Sequence, residues 1–481
     1  MNSRLDKTTP SYVPWAFFAL AACLLAFNSW SGSVIPGDDA IYAQIADEAL
    51  RDGRLFHPTW QGALIFEKGP LVIWTLTISQ WLFGQTMFAV RLPGVLAGLA
   101  LLLAVYQVGR KVGLSKAATL ISVGTLLATA VFYFNARRPM MDVPGTALGM
   151  WAFVCLLAPS KGTWRSAIIG GVLLGLAALT KFVAPIPFVI ALIMLQFFPQ
   201  FRRVKPLLAA LVVVLLVAAP WHIAMLAIHG RPFFDAYFVY NLFNRMSDAV
   251  VGQGAGFTYA NWIFSREWAL IIPWLAGAVV SVFAAVKRRD DGLVAVALVI
   301  GGVLPLTVSA TGISHYLVPV APGFALMVGI LARSLGQRIM VEVVAAVVLA
   351  GAFIVANGKD LLRPDYSSGT QAICEGLNQA GLQTAGTWNL HDPAVTWYCN
   401  DFKGYLYADN PGVLGATKDI PMLKDWVIEV DDASLLDLAS KRSIVITSQE
   451  PIADLLAKAI QLGLKPEVVG NSNTRAAVLL K

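Results

Sequence analysis

The sequence predicts an all-α polytopic membrane domain, residues 1–356, followed by a small soluble α/β domain, residues 357–481. Three observations predict it. Hydrophobic residues make up 57% of the 481 and charged residues only 14%, against roughly 25% charged in a soluble globular chain. The apolar residues gather into about eleven runs, each near the roughly 20 residues needed to cross the hydrocarbon core. Beyond residue 357 the composition turns to that of a soluble domain.

The runs lie near 14–33, 88–109, 116–134, 141–158, 166–180, 183–200, 206–226, 266–286, 292–310, 316–332 and 339–356. The first follows Arg4 and Lys7 and lacks an A-x-A-like cleavage site, which reads as an uncleaved signal anchor. With that end inside, the basic residues fall into a consistent alternation. Arg110, Lys111 and Lys116 share one side with Lys161 and Arg165, with Arg202, Arg203 and Lys205, with Lys287, Arg288 and Arg289, and with Arg333 and Arg338. The net charge of +7 is therefore mostly loop anchoring, and a nucleic-acid partner is excluded.

Three segments on the opposite side are long: 34–87, 227–265 and the tail. In the first, Asp38 or Asp39 can cap a helix over about 40–52 that ends near Gly53. Its Ile41, Tyr42, Ile45 and Ala49 oppose Asp47, Glu48, Arg51 and Asp52, an amphipathic pattern suited to the membrane surface. A second interfacial helix starts at Pro70 and runs to Gly84. In the tail, strands are expected at 426–430, 443–447 and 476–480, with a helix over 451–463. Cys374 and Cys399 share the tail, where a disulfide and two free thiols both remain open; no Cys/His cluster suggests a structural zinc.

Polar residues that composition does not justify gather on the outer side. They are Asp38 and Asp39; Glu67 and Lys68; Arg137, Arg138 and Asp142 in a short turn; Lys181 in another; Arg245 and Asp248; and His315 and Tyr316. Carboxylates there can deprotonate an acceptor hydroxyl or hold a divalent cation. Lys and Arg beside them can bind phosphate. Acid, base and membrane together point to a phosphate-bearing lipid substrate. His222 reads as an interface histidine.

The run Gly37-Asp38-Asp39-Ala40-Ile41-Tyr42 resembles the D-E-x-x-Y stretch of a family of GT-C glycosyltransferases, and Phe66-Glu67-Lys68-Gly69-Pro70-Leu71 resembles its F-E-K-P-P-L. Arg138 to Asp142, Leu179-Thr180-Lys181, Pro220-Trp221-His222 and His315 to Pro319 resemble four further motifs in the same order. The family contains the lipid A aminoarabinose transferase and the dolichyl-phosphate-mannose protein mannosyltransferases. The likeness covers roughly residues 30–330, and the tail resembles the family only in placement.

The resemblance implies a GT-C-like fold and a glycosyltransferase. Its sugar donor would be carried on a polyprenyl phosphate, such as undecaprenyl phosphate. The acceptor would be lipid A, another part of lipopolysaccharide, another glycan or a protein hydroxyl, and the anomeric carbon would invert. Asp38 is then the acceptor base or positioning group, with Asp39 in the next acidic position and Asp142 the second family acid. Glu67, Lys68, Arg137, Arg138, Lys181 and Tyr316 are the substrate-binding candidates, and Glu67 would hold a divalent metal cation. The implied setting is a bacterial inner membrane, with the site and tail in the periplasm. Two departures stand out: Gly69 replaces a proline, loosening the turn, and Asn241 stands where the aminoarabinose branch has a His. The alternative reading is a lipid or glycolipid flippase, which would need broken helices in paired halves; Lys181 with Pro185 and Pro187 is the nearest approach.

Overall fold

The computed structural model describes residues 10–157, 164–247, 255–336, 339–362, 365–399, 402, 404–410, 413, 414, 423 and 426–481. Asp248, Arg4, Lys7, Lys161 and Arg338 lie outside the described residues. Each of the eleven expected runs carries a helix. Five are long and apolar enough to cross a membrane: Met87–Lys111, Val204–His229, Trp268–Val286, Asp290–Thr307 and Glu342–Leu362. The other expected spans, apart from one bent pair, are apolar helices of 10–17 residues. They are short because polar residues and prolines cut their ends: Asp142 opens one, and Lys181 and Pro185 separate Trp164–Thr180 from Ile186–Leu195. Val204–His229 turns Leu208, Val212, Leu215, Leu216 and Ile223 outward, and Trp268–Val286 does the same with Ile272, Leu275 and Phe283. Such exposed apolar faces belong in lipid.

The bent pair is Lys116–Ala128 and Ala130–Ala136, which meet at 69°. A break frees backbone groups that lipid cannot satisfy. Glu267 accepts the Ala130 and Val131 N–H groups at 3.0 and 2.8 Å, and Asn357 Nδ2 donates to the Ala128 carbonyl at 3.1 Å.

Residues 34–87 form a folded unit. Its helix Asp38–Asp52 is capped by Gly37 at φ +108°, a value that favours glycine, and by neither aspartate. Of its polar side, Arg51 and Asp52 are exposed and Asp47 partly so, but Glu48 is not. Glu48 is buried and accepts from Thr59 Oγ1, Gln61 N and Gly62 N, fixing a hairpin of β1 (Thr59–Trp60) and β2 (Ala63–Leu64). The tail covers the helix. Ala394 and Trp397 pack on Val34, Ala40 and Ala43, and Leu406 and Ala408 join Ile41, Tyr42 and Ile45. The helix Pro70–Phe83 lies beside it and exposes Ile78, Trp81 and Leu82.

The tail forms a six-stranded sheet of β3 (Thr384–Trp388), β4 (Tyr405–Ala408), β5 (Val427–Glu429), β6 (Ile444–Ser448), β7 (Glu467–Asn471) and β8 (Arg475–Leu479), in the order β5-β4-β3-β6-β8-β7. β3 to β6 are parallel neighbours, and β8 and β7 close the edge antiparallel. The expected strands and the helix, at Ile452–Gln461, are present. Cys374 and Cys399 are joined by a disulfide.

Candidate active site

Six of the expected site residues converge on one cavity. Asp38, Glu67, Lys68, Asp142, Lys181 and Tyr316 line a space of about 1700 Å3, open mouth included, whose remaining walls are largely apolar. Each reaches it from a helix end or a loop. Asp38 begins the helix after Gly37, and Tyr42 stands one turn on and lines the same cavity. Lys68 stands 5.3 Å from the Tyr42 ring centre. Asp142 begins its helix and accepts from Lys181 Nζ at 3.3 Å through one oxygen, while His315 Nε2 lies 3.7 Å from the other. Lys181 Nζ sits 4.2 Å from the Tyr316 ring centre, and Arg245 Nη1 donates to the Tyr316 hydroxyl.

Gly69 has φ −72°, which a proline would also accept. The glycine serves a close approach. A Cβ there would lie 2.3 Å from the Leu179 carbonyl oxygen and 2.8 Å from that of Thr180. This contact seats the Glu67–Lys68 loop against the turn that carries Lys181.

The charges set the protonation states. Burial pushes the Asp38 carboxyl up, but Lys68, His315 and Arg245 pull harder, and it stays below the ordinary aspartate value. Burial lowers the Lys181 ammonium, yet Asp142 and Tyr316 outweigh it, so it is held protonated. Burial brings His315 down to about 4, so it is neutral at neutral pH.

Three expected residues lie elsewhere. Asp39, Arg137 and Arg138 line a separate recess. Arg138 binds Asp39 through both carboxylate oxygens, and Arg137 donates to the Phe27 and Asp360 carbonyls and the Tyr133 hydroxyl. His222 hydrogen-bonds Tyr237 and the Ala218 carbonyl within a buried aromatic cluster. Conversely, Tyr42, Asn241, Arg245 and His315 line the cavity without having been assigned a role there. The four-residue step from Asp38 to Tyr42 was a usable signal; for Arg245 it was a basic residue on an outer loop.

The donor set does not fit a protein-caged cation at Glu67. Among the described residues no group of three or more His, Cys, Asp or Glu side chains comes together. Asn241 presents its amide nitrogen, a donor, to the Glu67 carbonyl at 3.0 Å.

A family model described as dolichyl-phosphate-mannose-protein mannosyltransferase matches residues 67–223. An undecaprenyl phosphate-alpha-4-amino-4-deoxy-L-arabinose arabinosyl transferase of Serratia proteamaculans is 31% identical over 252 residues, 50% of this chain and 44% of that protein. One from Sodalis glossinidius is 28% identical over 321 residues, 64% of this chain and 56% of its own. The chain thus spans about half the length of these curated relatives. The crystal structure of ArnT from Cupriavidus metallidurans bound to undecaprenyl phosphate matches with a TM-score of 0.75 at 17% identity, over 98% of both chains. The archaeal oligosaccharyltransferase AglB from Archaeoglobus fulgidus matches with a TM-score of 0.60 at 14% identity, over 93% of this chain and 71% of that one. Motifs, family model and fold agree: this chain resembles the GT-C membrane glycosyltransferases.

Proposed function

We propose that the chain transfers a sugar from a polyprenyl-phosphate donor to an acceptor at the periplasmic face of a bacterial inner membrane. The observation that carries this is the meeting of Asp38, Lys68, Lys181, Arg245 and Tyr316 at one large, mostly apolar cavity. An isoprenoid tail fits walls such as Ile186, Ile190, Leu304 and Leu306, while its phosphate needs the cations.

In a single displacement, the acceptor oxygen attacks the anomeric carbon and the bond from that carbon to the phosphate oxygen breaks. The leaving lipid phosphate takes both electrons, and Lys68, Lys181 and Arg245 stabilise the added charge. Asp38, ionised at neutral pH, receives the acceptor proton. Asp142 keeps Lys181 charged and in place. If the acceptor oxygen belongs to a phosphate, no proton needs removal, and Asp38 orients it.

The disulfide in the tail supports an oxidising compartment, and the basic loops of the opposite side support the orientation. The curated relatives are named as undecaprenyl-phosphate aminoarabinose transferases, which supports lipid A as acceptor class and undecaprenyl phosphate as carrier. None of the relatives named above is a transporter, and no observation favours the flippase alternative.

Mass spectrometry of envelope lipids and glycans from cells carrying the wild-type gene, a deletion and Asp38→Asn tests this. A defined sugar should vanish in both mutants while its lipid-phosphate donor accumulates. Retention of every glycan in the deletion would overturn the reading.

A further inference from the structure

Arg137 and Arg138, expected to hold the donor phosphate, do not line the donor cavity. They line a small recess, together with Asp39, Arg91, Asp360 and Tyr366. Arg138 is neutralised by Asp39. Arg137 is not neutralised. It is 6% exposed, and its terminal nitrogens reach only uncharged oxygens: the Tyr133 hydroxyl at 3.0 Å, the Asp360 carbonyl at 2.9 Å and the Phe27 carbonyl at 2.5 Å. The Asp360 carboxylate is committed to Tyr366 Oη at 3.0 Å and Arg266 Nη1 at 3.4 Å. Among the described residues, Arg137 Nε has no hydrogen-bond partner at all.

A buried guanidinium without a counter-ion and with an idle N–H is costly unless something supplies both. The lining carries three arginines against two aspartates, so that something is an anion rather than a cation or a neutral sugar hydroxyl. Placement gives the anion a role. Asp38 and Asp39 are consecutive in one helical turn, yet Asp38 lines the donor cavity and Asp39 the recess. The two spaces therefore flank the same turn.

We propose that the recess is a second anion subsite, which takes a phosphate or carboxylate group of the acceptor through Arg137 Nε. This deepens the transferase reading and rests on it. The donor phosphate goes to Lys68, Lys181 and Arg245; the acceptor anion goes to Arg137. Gripping the acceptor there brings its nucleophilic oxygen to the turn that carries Asp38.

The test is a binding measurement, so it stands apart from whether transfer is observed. The full chain is purified in maltoside detergent, which brings no phosphate, and titrated with inorganic phosphate by calorimetry. A Lys68→Met/Lys181→Met background weakens the donor site. Phosphate should still bind that background, and Arg137→Gln should weaken it at least about tenfold. Because Arg137→Gln removes three structural hydrogen bonds as well, Met87→Trp, which fills the recess and keeps Arg137, serves as the second variant and should give the same loss. No binding to the background, or binding unchanged in both variants, means that water alone satisfies Arg137 and overturns the proposal. Phosphatidylglycerol competing with phosphate would assign the recess to membrane headgroups and overturn its acceptor role. In turnover assays with a phosphorylated glycolipid acceptor and its dephosphorylated form, the wild type should show the higher KM for the latter, and Met87→Trp should erase the difference.

Discussion

Arg138 grips Asp39 on both carboxylate oxygens, Nε at 3.0 and 2.9 Å and Nη2 at 2.6 Å, across 99 positions of sequence. The pair joins the turn before Asp142 to the helix that begins with Asp38. Both partners are largely buried, so removing one leaves the other charge stranded. Asp39→Asn or Arg138→Gln should cost about 3 kcal/mol of stability. The double variant should cost less than the two singles summed. Thermal unfolding of the purified protein checks this; additive losses would show that the pair is not coupled.

Asp38→Asn should lower kcat by roughly 10²–10⁴-fold with little change in unfolding temperature, the scale of losing a positioned proton acceptor. Donor KM should move little, because the donor's phosphate is held by other residues. A loss confined to KM would make Asp38 a binding group only.

The acid side of the pH–rate profile follows from the Asp38 environment. Its folded pKa is depressed, so the competent carboxylate is present above that value and is lost as pH falls through it. The acid limb should therefore lie below the ordinary aspartate range. Lys68→Met removes the first of the cations that oppose burial, and should move the limb upward by about one unit. A limb that stays in place would detach it from Asp38.

Gly69→Ala should damage the protein although its backbone angles suit alanine. The obstacle is the Leu179 carbonyl at 2.3 Å, and backbone cannot step aside as a side chain does. Lower expression and at least about 1 kcal/mol of destabilisation are expected, measured by unfolding in detergent. Wild-type stability would mean that the loop is free to shift.

Chelation with EDTA should leave transfer unchanged, given the donor set around Glu67. Loss of activity restored by Mg2+ or Mn2+ would reinstate Glu67 as a cation ligand.

The helices were legible in sequence because apolar runs report burial in lipid or protein directly. Their ends were less so: Ile339–Leu362 continues past residue 356, and Val13–Ala26 stops well before 33. The motif residues Lys68, Asp142 and Lys181 could be placed together because the outer turns of neighbouring helices must lie close. What periodicity could not reveal was the covering of Asp38–Asp52. Its apolar side reads as membrane-facing until Leu406 and Trp397, over 300 positions later, close on it. The division between Asp38 and Asp39 was hidden for a similar reason, since it depends on where Arg138 lies in space. The tail strands β3, β4 and β7 were missed because runs of four or five residues carry little alternation, and Gly386 and Gly470 interrupt β3 and β7 further.

The broken span bears on how the chain is made. Glu267 and Asn357, which satisfy the backbone at its break, belong to parts of the sequence synthesised long after Ala128 and Ala130. When the helix pair first enters the bilayer, neither partner exists. The pair must therefore wait in another shape, straight or shielded by the insertion machinery, until the last helices arrive. The bend, and with it the turn at Arg138 and Asp142 that follows Ala136, therefore leans on helices from the second half of the chain.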